Sequence, residues 1–126
     1  MAEAPALVLD QPLSFWGGVD SATGEIVDPR HPQRGARIGG RVLVMPSGRG
    51  SSSSSSVLAE CLANGTGPAA ILLGEPDAIL VVGTFVAAEL GGPRCPVVVI
   101  GDAWRTIRTG DLVPVDGEGA VELPRA

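Results

Sequence analysis

At 126 residues the chain has the length of one domain, and its net charge of -5 excludes general nucleic-acid binding, which relies on many phosphate-neutralising cations. Hydrophobic residues reach 44% while aromatics are only 3%, so the chain is expected to fold around Val, Leu, Ile and Ala rather than stay disordered. With 18 Gly and 11 Pro interrupting it, that core should consist of short elements joined by tight turns.

Residues 6–16 suggest one or two short strands, followed by Gly17-Gly18 and a loop over 19–33 rich in turn chemistry. Residues 41–45 (RVLVM) read as a strand of branched side chains, and Pro46-Ser47-Gly48-Arg49-Gly50 as a flexible turn. After six serines at 51–56, Val57, Leu58, Cys61 and Leu62 share one face of a helix over 57–63, stopped by Asn64-Gly65. Residues 69–73 and 79–82 look like buried strands, 84–90 like a short helix stopped by Gly91-Gly92-Pro93, and 97–100 like another buried strand. Residues 112–115 and 120–123 flank Asp116-Gly117-Glu118-Gly119, a hairpin signal. Alternating strands and helices predict a mixed α/β fold, a single domain over 1–126 with its core at about 6–123.

The charged and sulfur-bearing residues narrow the chemistry. All nine basic residues are arginine, and five of them (Arg30, Arg34, Arg37, Arg41, Arg49) fall close together, where Pro32, Gly35, Gly39 and Gly40 argue against a helix. They read either as solvated turn charges or as a surface for a carboxylate, a phosphate or a docking partner. Cys61 and Cys95 have apolar neighbours and no zinc-like spacing, so both are expected to be buried free thiols without a metal role. His31, the sole histidine, sits in a turn beside Pro32 and reads as structural. The N-terminus has no basic start before an apolar stretch, and 78–88 falls short of the ~20 residues of a membrane helix. A soluble, cytoplasmic protein is expected.

The serine run allows three readings: a flexible linker, a helix cap, or a turn that handles an anion. It lies between a strand and a helix, behind Gly48 and Gly50, where the backbone can approach a ligand and the helix start offers N–H donors. A P-loop is excluded because the chain has no lysine, and the dinucleotide fingerprint fails because Ser53 stands at its third glycine. A serine acts as a base only where positive potential stabilises its alkoxide. Without a metal cluster, cofactor motif or second acid, the residues amount to part of an active site.

Gly48-Arg49-Gly50-Ser51-Ser52-Ser53 before a helix resembles the Gly-x-Gly-Ser-Ser-Arg turn in the mobile fourth domain of aconitases. Further blocks, Phe15-Trp16-Gly17-Gly18-Val19-Asp20, Thr23-Gly24, His31-Pro32, Val42-Leu43-Val44-Met45-Pro46, Leu58-Ala59-Glu60, Pro68-Ala69-Ala70-Ile71 and Pro96-Val97-Val98, resemble the small subunit of aconitase X over about 6–115. The resemblance implies a swivelling β/β/α domain that closes over the iron or iron–sulfur site of a separate large subunit, with no cofactor bound by this chain alone. It matches Ser51 to the proton-abstracting serine, and Gly50, Ser52 and Ser53 to positions holding substrate carboxylate. Ser53 replaces the arginine of classical aconitases, which leaves Arg49 or the large subunit to stabilise the Ser51 alkoxide. The implied reactions are dehydrations, of cis-3-hydroxy-L-proline first or of mevalonate 5-phosphate as the alternative. Two readings of other classes stand beside it: a phosphohistidine-type swivel domain, suggested by 84–90 and 110–117, and a non-catalytic docking subunit.

Overall fold

The computed structural model describes residues 2–50 and 52–115. Strand β1 (Ala2–Val8) leads through a loop to a single irregular turn, α1 (Phe15–Gly18), and then to a small hairpin, β2 (Val19–Asp20) and β3 (Glu25–Ile26). Next come β4 (Val42–Met45), helix α2 (Ser53–Asn64), β5 (Ala70–Leu73), helix α3 (Ala78–Glu89) and β6 (Val97–Val99). A 3-10 segment (Gly101–Thr106) and β7 (Leu112–Val115) complete the described chain. The α/β class expected from the alternation holds.

The main sheet has the order β6-β5-β4-β1-β7, with four parallel strands and β7 antiparallel to β1 at one edge. Parallel strands need crossovers, and α2 and α3 supply two of them. Side chains alternate across the sheet, so it separates two cores. Leu7, Leu43, Met45, Ile71 and Leu73 pack with α2 and α3 on one face. Ala6, Val42, Val44, Ala70 and Leu72 pack with Ile107, Val113 and Trp104 on the other. Strands β4 and β5 are buried along their whole length, which explains why both read as uninterrupted apolar runs in the sequence.

Three differences from the sequence reading have physical causes. Residues 79–82 are not a strand: they form the first turns of α3, which absorbs the helix expected at 84–90. The Asp77 carboxylate caps this helix by accepting from Leu80 N–H (3.1 Å). Gly83 lets α3 lie against α2, since a Cβ there would come within 2.8 Å of the Ser55 carbonyl oxygen. An isolated Ile-Leu-Val-Val run cannot tell a buried strand from an apolar helix; the cap and the glycine decide. Helix α2 starts four residues earlier than its apolar face suggests, because serines at 53–56 continue the helical backbone. The loop expected over 19–33 contains the β2–β3 hairpin, which clamps α2: Ser21 O accepts from Thr66 Oγ1 (2.7 Å) and Asn64 Nδ2 (3.2 Å), and Ser21 Oγ donates to Glu60 Oε1 (2.9 Å). The left-handed Gly65 (φ 77°) ends α2 as expected. The expected strand at 120–123 and its turn at 116–119 lie outside the described residues.

Leu72, fully buried in β5, tests this arrangement. Leu72→Ala should cost about 2–5 kcal/mol in urea unfolding, because a strand paired on both sides cannot move to refill the space. A loss below about 1 kcal/mol would show that the second core is loosely packed.

Candidate functional site

The site sits where β4 ends and its loop turns into α2. Leu9 N–H donates to Val44 O (2.7 Å), and a parallel bridge joins Leu13 to Gly48. The β1 and β4 chains therefore continue side by side beyond the sheet, which brings Ser14 to Gly50. Gly50 has φ 112°, a backbone conformation that favours glycine. A Cβ at this position would collide with Ser14 Oγ and would lie 2.9 Å from Ser54 Oγ.

The six serines are not equivalent. Ser52 and Ser53 are exposed at the head of α2, and Ser51 lies outside the described residues. Ser52 is the cap residue but makes no side-chain capping bond, contrary to the capping role serine usually takes; its carbonyl instead accepts from Ser55 Oγ (2.7 Å). Ser54 is buried and ties three segments together. Its Oγ accepts from Trp16 N–H (3.2 Å) and lies 3.4 Å from Ser14 Oγ, which donates to Trp16 O (3.0 Å). With the Ser14 proton committed to that carbonyl, Ser54 donates to Ser14 and the three groups close a ring. The exposed serines face outward with no capping duty, and the buried one fixes the frame behind them.

The remaining candidates divide. Gly50, Ser52 and Ser53 come together at the start of α2, with exposed Arg49 beside them in the loop. An uncapped helix start carries positive polarity, and the arginine adds a cation in sequence next to it. Arg30, Arg34 and Arg37 lie exposed in the turns after β3, and no helix forms there. His31 is buried: Gln33 N–H donates to Nδ1 (3.1 Å), which assigns the ring proton to Nε2, donating to Gln11 O (3.1 Å). That is the structural histidine expected. Thr84, where a phosphohistidine domain would need its histidine, is a mid-helix residue whose hydroxyl donates to Val81 O (2.9 Å). Between the heads of α2 and α3 runs an open cleft of about 150 Å³ lined by Ser52, Ser55, Ala78, Ile79 and Val82.

Sequence reasoning did not single out Ser14, Ser54 and Asp77. Asp77 packs its carboxylate against Gly48 while capping α3, so it couples the second helix to the serine loop. Trp16, exposed at 62%, belongs to the Phe-Trp-Gly-Gly block that carried the family resemblance, which was the available signal for this contact.

The described residues do not fit an iron centre: no three His, Cys, Asp or Glu side chains among them converge on one point. Cys61 and Cys95 are buried and free, and burial raises both thiols above their ordinary range, Cys95 to about 12. Among the described residues no helix is long and apolar enough to cross a membrane.

The Aconitase X swivel domain family matches residues 1–123. The chain belongs to that family. The swivel domain is 51% identical over 90% of its length to a cis-3-hydroxy-L-proline dehydratase of Pseudomonas aeruginosa, of which it covers 19%. It is also 46% identical over 96% of its length to the phosphomevalonate dehydratase small subunit of Methanopyrus kandleri, covering 87% of that protein. In structure it superposes on Thermococcus kodakaraensis aconitase X in its holo-form with a TM-score of 0.84 and 35% identity, covering 98% of this chain and 90% of that one. The chain thus spans about one fifth of the first of these relatives and most of the second. The resemblance read from the separate sequence blocks is borne out, and so is the aconitase-type swivel fold.

Two measurements test this geometry. Gly50→Ala should lower stability by about 1–3 kcal/mol, because the left-handed backbone and the Ser14–Ser54 contact both resist a Cβ. A neutral effect would mean that the turn does not rest on that contact. The Cys95 thiol ionises near pH 9.0 when unfolded and near 12 when folded, so the unfolded chain binds fewer protons in that window. Stability should then fall as pH rises across it, by up to about 1.4 kcal/mol per pH unit, and Cys95→Ala should flatten the slope in urea titrations at successive pH values.

Proposed function

We propose that this chain is the small subunit of a two-subunit aconitase X hydro-lyase and supplies the base for dehydrating a hydroxy-carboxylate. The observation that carries the reading is the Gly50 turn at the uncapped head of α2, in a chain belonging to the swivel-domain family. Ser51 is the catalytic residue. As an alkoxide it takes a proton from the carbon beside the substrate carboxylate. The C–H electron pair becomes the new double bond, and the hydroxyl on the next carbon leaves with the C–O pair as hydroxide. The proton taken up by Ser51 passes to it, giving water and restoring the alkoxide. The helix start and Arg49 stabilise the serine anion, which would otherwise be inaccessible near neutral pH. Gly50, Ser52 and Ser53 hold the carboxylate through N–H and hydroxyl donors.

In this reading the iron or iron–sulfur centre that the family resemblance implies belongs to the large subunit, and this chain brings the serine base to it. The whole chain acts as one cytoplasmic swivel domain over 1–126. Cis-3-hydroxy-L-proline is the first substrate, favoured by the 51% identity to the Pseudomonas aeruginosa dehydratase. Mevalonate 5-phosphate is the second reading, favoured by the 46% identity across almost the entire chain to the Methanopyrus kandleri small subunit. Both molecules carry a carboxylate, an adjacent C–H and a hydroxyl on the following carbon, so one serine base serves either.

Co-purification with the large subunit, followed by assay of both compounds, tests the proposal. Ser51→Ala should reduce turnover at least ~10²-fold while the complex still assembles. Undiminished turnover would remove Ser51 from the mechanism. Robust dehydration by the small chain alone would overturn the two-subunit reading.

A further inference from the structure

Helix α3 breaks the rule that a surface helix turns polar side chains outward. From Ala78 to Ala88 it carries no charged residue. Leu80, Gly83 and Ala87 face the core, but Val81, Val82, Phe85 and Val86 are exposed on the opposite side, and Leu90 follows at the helix end. Phe85 is 64% exposed and Leu90 81%. Helix α2 in the same layer behaves normally, with Ser53, Ser56, Glu60 and Asn64 exposed. The apolar face is therefore a local feature of α3, and an apolar patch of this kind marks an interaction surface.

We infer that the outer face of α3, centred on Phe85, is where the large subunit docks. The inference rests on the two-subunit reading above. Two observations choose the occupant. The Pseudomonas aeruginosa relative is one chain of which this domain covers only 19%, so there the domain is joined to a body about four times its size. In addition, Val82 belongs both to the exposed stripe and to the cleft lined by Ser52 and Ser55. A body seated on α3 therefore lies at the edge of the serine turn and can present a reacting centre to it. A second copy of this chain seated there would set one serine turn beside another, with no complementary site between them. The large subunit is expected to meet this face with an apolar groove, into which Phe85 inserts as the anchor.

The test uses full-length small chain and its cognate large subunit, with affinity measured by titration. Phe85→Glu and Val81→Glu should each weaken the complex at least ~10-fold, since a buried interface cannot solvate the carboxylate. Both positions are exposed in the isolated chain, so circular dichroism and Tm of the small subunit should stay unchanged. Leu112→Glu, at an equally exposed apolar position on the edge strand β7, should leave affinity unaltered. If wild-type chains associate and the α3 variants bind equally well, or Leu112→Glu is just as damaging, the docking face is wrong while the two-subunit reading stands. If the isolated chain dimerises and Phe85→Glu splits only that dimer, a second copy is the occupant and the inference fails. If wild-type chains do not associate at all, the two-subunit reading falls and this inference with it.

Discussion

The burial of β4 on both faces organises the molecule. Val42 and Val44 point into one core and Leu43 and Met45 into the other, and all four are fully removed from water. A four-residue strand at the centre of a five-stranded sheet can be dry on both sides only if each face is covered. Helices α2 and α3 cover one face, and Trp104 of the 3-10 segment with Ile107 just after it packs against the other. The end of this strand is consequently held by packing on both sides. Its loop leaves the sheet and enters the head of α2 within a few residues.

That support continues through backbone geometry. Beyond the sheet, the Leu13–Gly48 bridge keeps two loops parallel, and the Ser14–Ser54–Trp16 ring locks them to α2. Gly50 passes this ring so closely that no side chain fits. The serine run thus combines two tasks that its uniform sequence conceals. Ser54 is a buried structural residue, while Ser52 and Ser53 are turned to solvent. On the second side of the cleft, Asp77 links α3 to Gly48, so both helix heads are referred to the same loop.

The apolarity of α3 explains why its first turns look like a strand in the sequence. Residues 79–82 read as a buried strand because they are continuously hydrophobic, and that hydrophobicity is real. What the pattern cannot express is the surface that buries it. Among the described residues only one face of α3 is covered. The uncovered face gives the helix a reason to be apolar all round, if a larger body completes the interface. Cys61 and Cys95 show the opposite case: their apolar surroundings in sequence correctly announced burial, and burial holds their thiols protonated.

Much of the architecture was legible without coordinates, because strands buried on both faces leave unbroken apolar runs, as at 42–45 and 70–73, and because Gly65 marks a helix end by its backbone freedom. The ordered blocks around Phe15, His31 and Gly50 likewise carried the family, since such spacing persists in the chain whether or not it is folded. Sequence alone also located the turn, with its glycine, arginine and serines in local order. Only the tertiary structure decided which serine is buried, that Ser52 does not cap, and that Ser14 and Trp16 stand behind the turn. The burial of Ser54 against Ser14 and Trp16 depends on contacts between segments some forty residues apart, and local periodicity holds no information about them.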